Sequence, residues 1–348
     1  MHVLNIAGRQ REYYQILLDY SLLWESALGI AAITNSRLFD TLEKKSEFER
    51  QLETMPRELS LELKYVEKNN TWKCLLQLLH SYQITSPEVN KFVAYINDLP
   101  EEELKFICLP YIGDNAQEIR KRAAQGSKES LHALKDLTSE ISFFPTYIEF
   151  INQVNVAELK NHLISVFSKW YESFIHPISE ELNAILKNDF ENKAVMQKKM
   201  NAEEFVGWAT GGISYVPEPS IQNVLLIPHL TYRPWNIESY IEGTKVFYYP
   251  VSNESISPGD RYLPNYFLIQ KHKALGDEVR LRMIKLLFER DYTLQDITEK
   301  LELGKSTAHH HLKILRAATL VEVKSSKYRL RDASLNSIYK ELELYLNQ

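Results

Sequence analysis

The feature that most restricts the fold of this chain is a series of helix caps, turn residues and a hairpin in its C-terminal quarter. A helix predicted over 266–275 ends at Gly276, a residue type that commonly follows the last turn of a helix. Asp277 is a typical N-cap, since its side chain can accept a hydrogen bond from an amide in the next helix. The order helix, glycine, cap and helix therefore predicts two consecutive helices with a sharp turn between them.

A second pair of helices follows at once. Thr293 and Asp296 have the spacing of a capping box and predict a short helix over 294–301. Gly304 makes the turn into a helix predicted over 305–318. Two short helices joined by a tight turn are typical of a helix-turn-helix unit.

The second of these helices has two unlike faces. Ala308, Leu312 and Leu315 fall on one side at 100° per residue, so we expect them to pack inward. The opposite side carries small hydrogen-bonding groups, imidazoles and one cation: Ser306, His309, His310 and Lys313. A solvated face would more often carry Glu as well as Lys, and this one has no acidic residue. The pattern favours insertion into a DNA major groove about 12 Å wide over a merely solvated surface.

Three consecutive histidines raise the alternative of a metal site. Adjacent helical side chains point about 100° apart, so His309, His310 and His311 cannot converge on one ion. We expect His309 and His310 to form hydrogen bonds with bases and phosphates. Because the pKa of imidazole is about 6.5, both side chains can gain positive charge beside a phosphate. No metal, cofactor or catalytic residue is predicted.

A hairpin is predicted after this helix, over 320–331 with a turn at Ser325 and Ser326. Apolar and cationic residues alternate in its strands, which predicts one apolar and one basic face. The apolar set is Val321, Val323, Tyr328 and Leu330, and the basic set is Lys324, Lys327, Arg329 and Arg331. A basic hairpin can lie along phosphates and release counterions, although an ordinary polar hairpin face is the simpler interpretation for any single residue.

The charge distribution separates this part of the chain from the rest. From Asn265 onward there are 15 Lys and Arg against 11 Asp and Glu, whereas the first 264 residues hold 26 against 35. A basic module beside an acidic body indicates that the C-terminal part meets a polyanion such as DNA.

The larger N-terminal part is predicted to be mainly helical from about Arg9 to Met200. Its first apolar face is Ile16, Leu17, Tyr20, Leu23, Trp24 and Leu28. Similar periodicity covers 72–82, 87–96, 128–141 and 156–186. Short β-like segments separated by turn residues predict a small antiparallel sheet over about 211–250.

The segment 251–264 is rich in serine, proline and glycine, so we place the domain boundary within it. The expected organisation is a helix-rich N-terminal regulatory or effector region over 1–255 and a winged helix-turn-helix DNA-binding domain over 262–348. The fold class is mainly α with small β.

The compartment is predicted from the cysteines and from the absence of targeting signals. Cys74 and Cys108 lie far apart in the sequence and lack chelating neighbours, so both are expected in the core of a protein from a reducing cytoplasm. The N-terminus has no basic segment followed by an apolar one, and no window approaches about 18 uninterrupted apolar residues. We therefore expect neither secretion nor contact with a membrane.

The C-terminal sequence strongly resembles the winged helix-turn-helix of ArsR-type bacterial transcriptional regulators. The matching segments are LGDEVRLRMIKLL, then S-T-x-x-H-H-L-K-x-L-R-x-A-x-L-V, and the hairpin as a wing. The resemblance implies binding to double-stranded DNA by a recognition helix over 305–318 and a basic wing over 320–331. The DNA-binding residues that the resemblance implies are Ser306, Thr307, His309, His310, Lys327 and Arg329. Lys305 and Lys313 of the same helix complete the predicted DNA-binding set.

The family's members usually act as homodimers on two-fold symmetric operators. The helix before Gly276 and a last helix over 334–346 look similar to the family's dimerisation elements. The apolar face of that last helix is Leu335, Ile338, Leu342 and Leu346.

This chain departs from the family pattern in three ways. Metal-sensing members carry cysteines in the first helix of the helix-turn-helix, whereas 293–298 contains none and the last helix has no histidine, so metal sensing is not expected. Gly304 stands where a capping serine is common, which weakens the cap by a few tenths of a kcal/mol. Most members are also short, whereas this chain has a large additional N-terminal region that resembles the one on some longer ArsR-like regulators.

Three functions remain open at this point. The favoured one is a DNA-binding transcriptional regulator whose N-terminal region senses an unidentified small-molecule effector, binds a partner or aids dimerisation. The alternatives are an enzyme in residues 1–250 that carries a DNA-targeting module, and an architectural DNA-binding protein. No G-x-S-x-G, H-E-x-x-H, phosphate-binding glycine loop or paired-cysteine site occurs, so we do not expect an enzyme.

Overall fold

The computed structural model describes residues 13–82, 88–260 and 262–347, and these residues are mainly helical. The helices before residue 257 are α1 Leu22–Thr34, α2 Ser36–Phe39, α3 Lys45–Thr54, α4 Arg57–Asn69, α5 Trp72–Tyr82, α6 Val89–Asp98, α7 Glu101–Cys108, α8 Gln117–Ala124, α9 Lys128–Leu137, α10 Phe144–Gln153, α11 Val156–Trp170, α12 Ser179–Gln197, α13 Ala202–Ala209 and α14 Asn253–Ile256. None of the described helices is both long enough and apolar enough to cross a membrane.

Four of the strands form one sheet: β1 Gln15–Leu18, β2 Asn223–His229, β3 Ile237–Ile241 and β4 Thr244–Pro250. Their order is β1-β2-β4-β3. The strands β1 and β2 are parallel, as are β2 and β4, whereas β3 and β4 form an antiparallel hairpin. The prediction of a small sheet is confirmed, but the prediction that it is antiparallel is wrong, because only the hairpin at one edge has that orientation.

The segment around Ile16 is a second correction. Ile16 and Leu17 lie in β1 instead of continuing a helix towards Trp24. A four-residue apolar segment fits a strand or a helix equally well by spacing, and here pairing with β2, more than 200 residues later, decides between them. The predicted helical residues 9–12 lie outside the described residues, as does residue 87 at the start of another predicted helix.

The helix predicted over 156–186 is interrupted. After α11 the chain passes through a π-helical segment, Tyr171–Ile175, and a 3₁₀ turn, His176–Ile178, before α12 begins. Pro177 lies in this turn and has no amide hydrogen to donate, which is consistent with a break at this position. The sheet region also begins later than predicted, because the residues 213–216 form no strand.

Two apolar clusters enclose the sheet. Helix α1 packs against α4, α5, α11 and β2, and its buried residues join a large core with one face of the sheet. The other face packs against α13, where Phe205 and Val206 contact residues such as Phe247. Cys74 and Cys108 are both buried free thiols, as predicted.

The C-terminal module consists of α15 Tyr266–Leu275, α16 Glu278–Glu289, α17 Leu294–Leu301, α18 Lys305–Ala317, β5 Val321–Lys324, β6 Lys327–Leu330 and α19 Asp332–Leu346. These bounds agree with the predicted ones to within two residues. Most of its buried residues form a separate hydrophobic cluster. The prediction of a mainly α fold with small β that ends in a winged helix-turn-helix is confirmed. The domain limits 1–255 and 262–348 stay a prediction.

Candidate nucleic-acid interface

Local hydrogen bonds set the start of α17 and its turn into α18. The hydroxyl of Thr293 accepts a hydrogen bond from the amide of Asp296 at 3.2 Å, and the carboxylate of Asp296 accepts one from the amide of Thr293 at 2.9 Å. This is the predicted capping box. At the end of α17, Glu302 adopts a left-handed conformation with φ of 54°, and Gly304 precedes α18 without a side-chain cap.

The inner face of α18 anchors it to the rest of the module. Ala308, Leu312 and Leu315 are fully buried, and they lie in one cluster with Met283 of α16 and Ile297 of α17. The three residues are those predicted from the helical spacing. Their burial fixes the rotation of α18 about its axis, and this rotation determines which side chains point outward.

The outer face begins fully open to solvent. Five of the predicted DNA-binding residues are exposed in the first two turns of α18: Lys305, Ser306, Thr307, His309 and His310. Lys313, one turn further on, is half-buried. The helix contains no acidic residue. The structure therefore brings the predicted residues of this helix onto one open end of α18, with hydrogen-bonding groups and positive charge.

The third histidine points elsewhere. Nδ1 of His311 lies 3.6 Å from a carboxylate oxygen of Asp277, the residue that caps α16, and burial lowers the pKa of this imidazole. The pKa of Asp277 is lowered, chiefly by the hydrogen bond from the amide of Arg280 and also by the charges of Arg280 and His311. Among the described residues, no group of three or more His, Cys, Asp or Glu could hold a metal ion.

The hairpin forms with the predicted register. Val321 pairs with Leu330, and Lys324 pairs with Lys327 across the turn. Ser325 and Ser326 both have positive φ, 48° and 61°, as a two-residue type I′ turn requires. An additional bridge between Tyr292 and Tyr328 ties the hairpin to the segment before α17.

The charges of the wing are more balanced than the sequence pattern indicated. Lys327 is exposed, but Arg329 donates two hydrogen bonds to Asp291, and Arg331 donates one to Glu322 at 3.0 Å. The expected apolar face is buried only in part, since Val323 is 43% exposed near the tip. Sequence reasoning missed both acidic partners, although Glu322 directly faces Arg329 in the register.

The far end of α18 contacts the N-terminal region, which the sequence did not indicate. Ala317 is buried in the large core of that region, and the guanidinium carbon of Arg316 lies 5.6 Å from the ring centre of Trp235. The hydroxyl of Thr319 lies 2.5 Å from the carbonyl oxygen of Gly211. The open surface of α18 therefore ends before its last turn.

Comparison with known proteins finds similarity to the C-terminal module. A family model described as "Bacterial regulatory protein, arsR family" matches residues 277–323, from the cap of α16 into the first strand of the wing. The "Arsenical resistance operon repressor" of Bacillus subtilis (strain 168) is 40% identical over 77 residues, which are 21% of this chain and 73% of the relative. No solved structure matches.

Proposed function

The chain belongs to the arsR family of bacterial regulatory proteins and is a DNA-binding transcription regulator, and we propose that it reads operator DNA with α18 and the wing. In this proposal Lys305, Ser306, Thr307, His309, His310 and Lys313 contact DNA from the recognition helix α18, and Lys327 and Arg329 contact it from the wing. Such a regulator acts where chromosomal DNA lies, in the bacterial cytoplasm.

The observation that carries this proposal is the open end of α18. A helix enters the major groove with its N-terminal residues against the base edges, and the exposed residues of α18 lie at that end. Hydroxyl and imidazole groups can donate and accept hydrogen bonds with bases, whereas a carboxylate would repel nearby phosphates. The absence of acidic residues from α18 fits this environment.

The wing supplies charge. Lys324 and Lys327 face each other at the tip of the hairpin, and both are exposed. Each lysine that neutralises a phosphate releases counterions and adds affinity that falls as salt rises. We assign positioning on the DNA backbone to the wing, and discrimination between sequences to α18.

We also propose that the protein is a homodimer joined through α19. Leu335 and Ile338 of the predicted apolar face pack against the cluster of their own module. Tyr339 and Leu346 are exposed on the same side of this helix, and Leu346 belongs to the predicted apolar face. Large apolar side chains exposed on one side of a helix are the kind of surface that a second copy covers.

For the N-terminal region we propose a regulatory role without catalysis. Two of its buried carboxylates are engaged in structural contacts. The carboxylate of Glu25 accepts hydrogen bonds from the amides of Leu230 and Thr231, and that of Asp189 accepts them from Tyr249 and from the amide of Ser252. These groups hold the loop after β2 and the end of β4 in place. The target genes of the regulator would indicate which small-molecule effector this region senses.

The experiment that tests the proposal is selection of genomic fragments bound by the full-length protein, followed by gel-shift titration of the recovered duplexes. We expect recovery of a few sequences that share a two-fold symmetric site, with affinity that falls as salt rises. An exposed histidine of α9, His132, provides a matched control: His132→Ala should bind DNA as the wild type does, whereas His310→Ala should bind it more weakly. Failure of the wild-type protein to enrich any sequence would contradict operator reading.

A further inference from the structure

The outward row of α18 loses its exposure along the helix. Ser306, His310, Lys313 and Ala317 follow one another at three- and four-residue steps, on the side opposite the buried residue Leu312. Ser306 and His310 are exposed, Lys313 is half-buried, and Ala317 is only 7% exposed. The row spans about 16 Å at 1.5 Å per residue, and only its first part is open to solvent.

Two segments of the N-terminal region surround the covered end, and we name them together the cover: residues 36–44 and 230–236. They are joined to each other, since the indole of Trp235 donates a hydrogen bond to Thr41 at 2.9 Å and the amide of Glu43 donates one to the carbonyl of Arg233 at 2.9 Å. Trp235 lies in the hydrophobic core that also buries Ala317. The two segments are therefore bonded to each other, and Trp235 lies beside the last turn of α18.

One carboxylate of the cover lies near the outward row of α18. The carboxylate of Asp40 forms an ion pair with Lys45 at 2.7 Å, and its pKa is lowered mainly by that contact and further by the positive charges of Lys313 and His310. Asp40 therefore lies close to two of the residues that we assign to DNA. A phosphate backbone brought along the full length of α18 would approach the carboxylate of Asp40, and like charges repel each other.

A second contact secures the module on its other side. Gly211 and Gly212 have φ of 73° and 120°, and their backbone lies against α15 and α19. A Cβ at Gly211 would fall 2.1 Å from the ring of Phe267, and one at Gly212 would fall 2.6 Å from the hydroxyl of Ser334. Glycine is thus required twice in succession where the two regions meet. The residues 257–260 of the linking segment are exposed and carry no helix or strand, so they offer a hinge.

We propose that this arrangement is a self-inhibited state, in which the cover blocks the C-terminal half of the recognition helix. Full insertion of α18 into the major groove requires the cover to move off Ala317 and Lys313. A ligand or partner that favours the displaced position of the N-terminal region raises the affinity for DNA, and one that favours the closed position lowers it. The inference rests on the proposed function, because it concerns the same helix.

The test compares full-length variants of the cover with matched variants elsewhere in the N-terminal region. Trp235→Ala removes the ring over Arg316, and Asp40→Asn removes the charge beside Lys313. The matched controls are Trp72→Ala, at a tryptophan that packs against Phe143, and Asp98→Asn, at an exposed aspartate. Affinity is measured by fluorescence anisotropy with a labelled duplex taken from the region upstream of the protein's own gene.

We expect Asp40→Asn to bind this duplex about two- to fivefold more tightly, and Trp235→Ala about tenfold, while both controls bind as the wild type does. The gain has an upper limit, because the apparent Kd cannot fall below that of the open state. Asp40→Asn changes an exposed side chain, so the comparison holds even if Trp235→Ala fails to fold. Equal affinity of both cover variants and the wild type would overturn the inference and leave the proposed function intact. No binding of the duplex by any of the proteins would overturn both the inference and the proposed function.

Hydrogen exchange of the wild-type protein tests displacement of the cover directly, because it requires no change in the charge of the protein. On addition of the same duplex, peptides from the cover should exchange faster while the first turns of α18 exchange more slowly, because DNA displaces the cover. Slower or unchanged exchange in the cover would overturn the inference, since DNA would then bind the closed arrangement.

Discussion

The guanidinium of Arg329 donates two hydrogen bonds to the same carboxylate oxygen of Asp291, from Nε at 2.9 Å and from Nη2 at 2.6 Å. This contact lowers the pKa of Asp291 and raises that of Arg329, so both groups are charged at neutral pH. A side chain that we assign to phosphate binding is therefore held by an acidic neighbour in the free protein. DNA must compete with Asp291 for it.

The first prediction is that Asp291→Asn tightens duplex binding about two- to threefold at low salt, because it removes a competitor and a negative charge beside the wing. Anisotropy titration at two salt concentrations measures this. Glu289→Gln is the matched control, since Glu289 is an exposed acid two residues away, at the end of α16, whereas Asp291 is the residue that accepts the hydrogen bonds of Arg329. Equal gains in both variants would mean that general charge, and not release of Arg329, is responsible.

The second prediction separates the roles of α18 and the wing. His310→Ala should reduce the ratio of operator affinity to nonspecific affinity, because His310 faces the base edges. Lys327→Ala should weaken binding to all duplexes alike and reduce the slope of log K against log salt by about 1. Competition assays with operator and scrambled duplexes measure both effects. The assignment fails if the two variants show the same pattern.

The third prediction concerns assembly. Leu346→Lys places a charge within the exposed apolar surface of α19, so we expect it to weaken the dimer and shift the molecular mass towards the monomer. Sedimentation equilibrium measures the mass over a range of concentrations. Leu281→Lys is the control, because Leu281 is also exposed but lies on α16. A wild-type protein that is monomeric at all concentrations would contradict the proposal.

The fourth prediction follows from His229, which is fully buried and whose pKa is lowered to about 3, first of all by its burial. The pKa of His229 in the folded protein lies below its value in the unfolded chain, which is about 6.5. As the pH falls below that value, the unfolded chain binds a proton more readily than the folded protein does, and the folded state loses stability. Between pH 7 and pH 5 this one group should remove about 2 kcal/mol from the free energy of unfolding, and the loss should continue towards pH 3.

Urea unfolding at pH 7 and pH 5 measures this effect. All five tryptophans lie before residue 236, so their fluorescence follows the N-terminal region that contains His229. The carboxyl group of Glu25 has a pKa raised by burial and acts in the opposite direction, so the comparison must be made against His229→Gln. This variant should show a smaller loss between pH 7 and pH 5 than the wild type. Equal losses would refute the assignment to His229.

The sequence by itself determined the C-terminal module. Its helix ends depend on contacts between residues three or four positions apart, such as Thr293 with Asp296, and its turns depend on local conformation, as at Ser325 and Ser326. The inward face of α18 follows from the helical repeat, because Ala308, Leu312 and Leu315 must lie on one side. These features could be predicted because the interacting groups are neighbours along the chain.

Only the tertiary structure decided the rest. The strand β1 exists because it pairs with β2, and the mixed order of the sheet depends on the same distant pairing. The partner of Arg329 lies 38 residues away, and Thr319 meets Gly211 from 108 residues away. Ala317 follows Ser306 and His310 on the same side of α18, and the sequence did not indicate that another part of the chain covers it. Such contacts depend on how whole elements pack, which local spacing does not encode.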